Sequence, residues 1–254
     1  MKLILLFPLF CVFSLVVYAQ DAPIIFDRPG ISDSPYIVDS NRYQFETGIS
    51  LASVGNITDG LNPNIMFRKY LGKQTELRCT YNYMPLMMGM VFQIADGRNT
   101  PLAIGVKHKL LKEDKWIPEA SFIVNTFYPI QKLGSLAKNN VFNVDAGFQF
   151  QSHINDYLAI NYNVGGIFTN TYKNGILTYS LSFNGLVAKN LELFIEAYGF
   201  NANHSSPETG LDGGAIWYPN DWSQIDISLA VNRYQHANFS TILIGYSFAV
   251  DRKK

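Results

Sequence analysis

Phe142-Asn143-Val144-Asp145-Ala146-Gly147-Phe148-Gln149-Phe150-Gln151 alternates without a break between an apolar and a polar or small residue. Successive side chains on an extended chain point to opposite faces, so this stretch is a strand with one greasy and one wet face. The same alternation recurs along the chain. Tyr43, Phe45, Ile49 and Leu51 oppose Gln44, Glu46, Gly48 and Ser50, and Leu158, Ile160, Tyr162 and Val164 oppose Ala159, Asn161, Asn163 and Gly165. Tyr179, Leu181 and Phe183 oppose Ser180, Ser182 and Asn184, and Ile225, Ile227 and Leu229 oppose Gln224, Asp226 and Ser228. Helical periodicity is nearly absent. Twelve such segments are centred near residues 47, 66, 79, 106, 122, 146, 162, 181, 195, 214, 226 and 244.

Connections between these segments alternate in length. Short ones are expected at 72–74, 112–115, 153–156, 188–190 and 219–221, and longer ones at 53–60, 84–99, 129–139, 168–175, 201–209 and 232–238. Short turns on one rim and long loops on the other mark an outer-membrane barrel. The polar face is mostly Asn, Gln, Ser and Gly, which suits a narrow lumen, while Leu, Ile, Val and Phe suit hydrocarbon. Tyr43, Trp116, Tyr157, Trp217 and Trp222 fall near strand ends, where interfacial aromatic girdles sit. The expected fold is therefore all-β: a transmembrane, up-and-down antiparallel β-barrel of about twelve strands. A secreted β-sandwich is the competing reading. It would have to accommodate 16% charged residues and, in the mature chain, the single cysteine Cys79.

Residues 1–19 read as a signal peptide: Lys2, an apolar run from Leu3 to Val17, then Val17-Tyr18-Ala19 as a cleavage site. Residues 20–40 form an N-terminal periplasmic or luminal segment, and 41–250 the barrel. Twenty basic and twenty acidic residues balance over the whole chain, which argues against nucleic acid as a partner. The expected partners are membrane lipid and lipopolysaccharide, the barrel-assembly machinery and a small-molecule solute.

The chain resembles the outer-membrane transporter family labelled MetA-pathway of phenol degradation. The residues that carry the likeness are Asp27-Arg28-Pro29, Ser34-Pro35, Gln44-Phe45-Glu46-Thr47-Gly48, Arg68 with Tyr70, and Glu76-Leu77-Arg78. Gly105-Val106-Lys107, Pro118, Glu192 to Glu196, Asp212-Gly213-Gly214 and Asp226 extend it over nearly the whole mature chain. Arg68-Lys69-Tyr70-Leu71-Gly72 departs from the family, which tends to place Tyr-Gly directly after the Arg. The resemblance implies a barrel of about twelve strands that passes small solutes, hydrophobic or aromatic ones among them.

Mapped onto the strands, Arg68, Glu76, Arg78, Lys107, Lys109, Glu119, Glu192 and Glu196 share the lumen towards the short-turn end. They form either a solute-selecting constriction or a structural ion-pair network, since buried ions demand partners. Residues 26–40 contain Pro29 and Pro35 and cannot be a central strand. They are a hatch inside the lumen, with Asp27 and Arg28 pairing to Arg68, Glu76, Arg78 or Glu192, or else a periplasmic tail. Met84, Met87, Met88 and Met90 suggest an adaptable apolar mouth more than a metal site. Catalytic signals are weak: Gly245-Tyr246-Ser247-Phe248-Ala249 only partly matches a nucleophile elbow, and Ser152-His153 and His204-Ser205 are mere sequence neighbours. No enzyme activity and no cofactor are expected. The function indicated is an outer-membrane channel for passive passage of small solutes; the alternative is a non-conducting structural or surface-binding barrel.

Overall fold

A computed structural model describes residues 24–54, 57–82, 102–128, 143–169, 175–202, 207–234 and 237–251. Twelve strands follow one another: β1 (Arg42–Val54), β2 (Ile57–Gly72), β3 (Thr75–Asn82), β4 (Leu102–Leu111), β5 (Glu119–Tyr128) and β6 (Asn143–Asn155). The second half comprises β7 (Leu158–Thr169), β8 (Ile176–Ala188), β9 (Leu191–Ala202), β10 (Glu208–Asn220), β11 (Ser223–Tyr234) and β12 (Ala237–Asp251). Each pairs antiparallel with its sequence neighbours, and β1 pairs with β12 to close the barrel. The seam runs without a register shift from Arg42↔Asp251 to Val54↔Phe239. Closure leaves no strand edge unpaired, the condition for backbone to cross a membrane as strands.

The alternation assigns the faces as the pattern demands. Phe148 is 43% exposed while its neighbour Gln149 is 3% exposed. Ile49, Ile104, Val164, Leu181, Ile195, Ile227 and Ile244 share the outer surface with Phe148. Gln44, Ser121, Gln151, Ser182, Gln224 and Ser247 are buried inside. Aromatic rings stack across neighbouring strands on the outer face, Phe150 on Tyr162 at 5.2 Å and Phe45 on Phe248 at 5.2 Å. Such cross-strand pairs stabilise a sheet by roughly 0.2–1 kcal/mol each. Trp116, Tyr157, Trp217 and Trp222 are exposed at the short-turn rim. Apolar residues enter the lumen mainly near the other rim, where Ile167, Ile176, Tyr198 and Phe200 cluster.

Short turns shape that rim. Gly72, Lys73 and Gln74 all have positive φ (110°, 48° and 61°), so the β2–β3 turn reverses through left-handed backbone, which Gly72 tolerates without penalty. Pairing shifts register between Tyr70 and Gly72. Asn155 and Asn220 close their turns by accepting the N–H groups of Tyr157 and Trp222 through Oδ1, at 2.8 and 3.1 Å.

Two expected long loops are corrected. Strand pairing continues to Ser53↔Thr58 and Val54↔Ile57, and to Arg233↔Asn238 and Tyr234↔Ala237. Only two residues separate the strands at each place. Both stretches are largely polar, as loops are, but polar residues at a barrel rim also extend hairpins into water. The 112–115 turn is in turn longer, running from Lys112 to Pro118 with an isolated bridge between Asp114 and Ile117. The signal peptide, the Met84–Met90 group and His204-Ser205 lie outside the described residues.

Candidate functional site

The β2–β3 register sets two arginines side by side. Arg68 pairs with Arg78, and Glu76 pairs with Lys107 across β3–β4, all pointing into the lumen. Like charges directly opposite destabilise a sheet, so the arginines need an anion between them. Asp27 supplies it. Its Oδ2 lies 3.3 Å from Arg68 Nη1, 2.8 Å from Arg78 Nη1 and 2.8 Å from Lys107 Nζ. Three cations from three successive strands thus converge on one carboxylate of the N-terminal segment. The Arg78 contact is an ion pair outside hydrogen-bond geometry, since Arg78 Nη1 has no hydrogen-bond acceptor.

Arg68 is fully buried and uses its whole guanidinium. Nε donates to Glu76 Oε1 at 3.0 Å, Nη1 to Glu46 Oε1 at 2.9 Å, and Nη2 to Glu76 Oε2 and the Tyr36 carbonyl at 3.1 and 3.0 Å. Lys107 Nζ donates to the carbonyl of Ser34 at 2.8 Å. Glu76 in turn accepts the Val38 N–H at 2.8 Å. Burial pushes the Asp27 carboxyl up, but the charges of Arg68, Lys107 and Arg78 outweigh it and hold Asp27 well below the usual carboxylate range. Asp27 also accepts the Ser34 N–H and hydroxyl through Oδ1, at 2.9 and 2.6 Å, which folds the segment back on itself.

Arg28 points the other way. Its Nη2 lies 3.2 Å from Asp226 on β11, and Nη1 donates to Asn64 on β2 at 2.9 Å. Gly48 and Gly245 leave room for the guanidinium, because a methyl group at either position would collide with it. Further along, the N–H groups of Ile31 and Ser32 each donate to Glu196 on β9 at 2.7 Å, and the Ser32 hydroxyl also bonds Glu196. Ser32 Oγ is 2.8 Å from Ser180 Oγ on β8, and Asp33 reaches Arg78 Nη2 at 2.9 Å. Asn163 on β7 and Gln151 on β6 donate to the Asp33 carbonyl and the Tyr36 hydroxyl. A segment bonded to walls on every side occupies the lumen.

The eight wall residues singled out from sequence do not act as one cluster. Arg68, Glu76, Arg78 and Lys107 form the network around Asp27. Lys109 and Glu119 form a separate ion pair, with Lys109 Nζ 6.0 Å from the Tyr36 ring centroid and Glu119 accepting the Glu113 N–H at 2.7 Å. Burial and the charges of Glu119 and Glu113 raise the Tyr36 phenol above its ordinary range. Glu196 binds the segment's backbone. Glu192 instead accepts Asn184 Nδ2 and the Tyr218 hydroxyl, each at 2.9 Å, and contacts neither Asp27 nor Arg28. Four ionisable participants were missed: Glu46, Asp226, Asp33 and Tyr36. Glu46 and Asp226 fall in the polar register of their strands, which was the available signal. Ser152 and His153 diverge, Ser152 towards Tyr162 and His153 towards Glu113 and Gln151.

Beside the segment, towards the short-turn rim, lies a cavity of about 220 Å³ between residues 25–34 and the wall of β6 to β10. Phe26, Arg28, Asn161, Glu192, Phe194 and Tyr218 are among its lining groups.

No protein-family model matches the chain, and no curated protein sequence does. Its fold is that of solved outer-membrane barrels. An outer membrane channel from Pseudomonas putida F1 is similar over 88% of this chain and 99% of its own, with a TM-score of 0.59 at 10% identity. The NanC porin matches over 80% of this chain and 98% of its own, with a TM-score of 0.57 at 7% identity. KdgM porin, in complex with disordered oligogalacturonate, gives 0.56 at 6% identity, over 80% of this chain and 98% of its own.

Proposed function

We propose that this chain is an outer-membrane channel that lets small solutes pass down their gradients, and that residues 24–41 are a displaceable plug closing it. The observation that carries this is how the segment is held. Its described contacts with the wall are dominated by ion pairs and hydrogen bonds, most of which water and mobile ions can replace once the segment moves. An apolar plug would find no such substitute. The wall behind it is polar, as a water-filled pore requires. The neighbours named as porins and as a channel support the same reading by fold. The outward belt of Ile, Leu, Val and Phe supports a place in the outer membrane, with lipid, lipopolysaccharide and the barrel-assembly machinery as partners. An aromatic or hydrophobic body for the solute is supported by Tyr198 and Phe200 towards the long-loop rim and by Phe26, Phe194 and Tyr218 around the inner cavity. Catalysis is not part of the reading.

The depth of the network also favours the second reading, a barrel that never conducts. Conductance decides between them. Deleting Ile25 to Ser40 should raise single-channel conductance in planar bilayers while the barrel keeps its heat-modifiable mobility on gels. A folded deletion variant that passes no current would leave a structural barrel.

A further inference from the structure

The lumen is electrically lopsided. Its inward bases, Arg68, Arg78, Lys107 and Lys109, stand on β2 to β4; Glu46 and Glu76 hold Arg68 and Glu119 holds Lys109, which leaves Arg78 and Lys107 to the carboxylates of the plug. The opposite wall carries Glu192 and Glu196 on β9, Asp212 on β10 and Asp226 on β11. Among the described residues, β7 to β12 turn no base inward, and Glu192, Glu196 and Asp212 form no ion pair. In the closed order of twelve strands β3 and β9 lie opposite each other. The two walls meet at one depth, because the adjacent residues Ser32 and Asp33 reach Glu196 on β9 and Arg78 on β3.

The plug lies along this field as a dipole. Its carboxylates, Asp27 and Asp33, face the bases, while the Arg28 guanidinium and the N–H groups of Ile31 and Ser32 face the acids. We infer that the channel takes zwitterionic solutes of the amino-acid class, and that the plug stands in for such a solute while the channel is closed. A small molecule with a carboxylate at one end and an ammonium at the other satisfies both walls at once. An anion or a cation satisfies only one, and an uncharged molecule neither. The cavity beside the plug already has this character. Arg28 lines it together with Glu192 and Glu196, and Asn161 Oδ1 is buried there without a donor, an acceptor suited to an ammonium.

The inference rests on the channel reading, and the test separates the two. L-alanine and lactamide are isomers, one zwitterionic and one uncharged, so a neutral sieve of their size treats them alike. Proteoliposome swelling is measured for both with the wild type, the variant lacking Ile25 to Ser40, and Glu196→Gln/Asp226→Asn. Protein-free vesicles supply the background. Each end of alanine meets an opposite charge and lactamide meets none, so the deletion variant should admit alanine roughly tenfold faster than lactamide, a preference of about 1.4 kcal/mol. In the double variant the ratio should fall towards one although the plug is loosened. Equal rates, or faster lactamide, in the deletion variant would overturn the inference and leave the channel standing. Folded protein that passes neither isomer and no salt current would overturn the channel reading itself. Should the deletion variant fail to fold, full-length Asp27→Asn carries the same comparison.

Discussion

Asp27→Asn isolates the charge on which the plug is docked. Asparagine keeps the Oδ1 that accepts the Ser34 N–H and hydroxyl, so the local turn survives. What disappears is the anion shared by Arg68, Arg78 and Lys107. Arg68 still has Glu46 and Glu76, and Arg78 still has Asp33. Lys107 has no other ion pair among the described residues and is left with the carbonyls of Ser34 and Tyr36. Breaking a buried ion pair costs about 3–5 kcal/mol, and since only one cation is orphaned outright the lower figure applies. At about 1.4 kcal/mol per decade, the ratio of undocked to docked plug rises on the order of a hundredfold. The assay is open probability in planar bilayers, with Asp39→Asn as the control. Asp39 is exposed and pairs only with Arg42 at 3.4 Å, a surface contact whose loss should leave conductance unchanged. Folded Asp27→Asn protein gating like the wild type would refute the electrostatic account of docking. Acid provides a second readout. Because docking depresses the Asp27 pKa, its contribution is fully present above the free carboxylate value near 3.9 and is lost as pH falls through the lower docked value. Lowering pH from 7 to 5 should therefore not release the plug through Asp27, and the rise in conductance below about pH 4 should be smaller in Asp27→Asn.

A disulfide tests the plug's position directly. With Cys79 replaced by Ser, Ser32→Cys/Ser180→Cys places two sulfurs where hydroxyl oxygens stand 2.8 Å apart; oxidation should lock the channel shut and a reductant should restore its activity in bilayers. The outer face is tested by charge. Phe148→Arg puts a cation on the lipid side at a cost of about 2–4 kcal/mol, whereas Gln149→Arg loses its bonds to Ser121 and the Gly147 carbonyl but stays in the polar lumen; the yield of folded, heat-modifiable protein should fall further for Phe148→Arg.

The barrel was legible because a period of two is unambiguous when one face meets hydrocarbon. Each of the twelve centres falls inside a strand, and Phe148 and Gln149 take the expected sides. Loop lengths were less legible, since Thr58 and Asn238 are polar for reasons of depth rather than of turn geometry. The wall charges were legible as a set but not as partnerships. Arg68 and Arg78 lie symmetrically about the β2–β3 turn, so their face-to-face pairing, and hence the need for an anion between them, could have been read from the hairpin alone. The partner of Arg28 could not. Asp226 lies 198 residues away, and only closure of the barrel brings β11 near the first strand. The carboxylate of Glu192 was grouped with the cluster because alternation reports the face of a residue and not its azimuth around the pore.

Arg28 touches Asn64 on β2 and Asp226 on β11, with Gly48 of β1 and Gly245 of β12 beneath its guanidinium. Those four strands flank the junction where the first strand meets the last, so the side chain acts as a stitch across it. This junction joins the strands farthest apart in sequence, so no short turn holds its two sides together. The segment that fills the pore therefore also laces the wall, and a mutant made to open the one loosens the other. Resistance to unfolding in denaturant should track occupancy of the pore, and a solute that displaced the segment without replacing that stitch would leave the cylinder easier to tear.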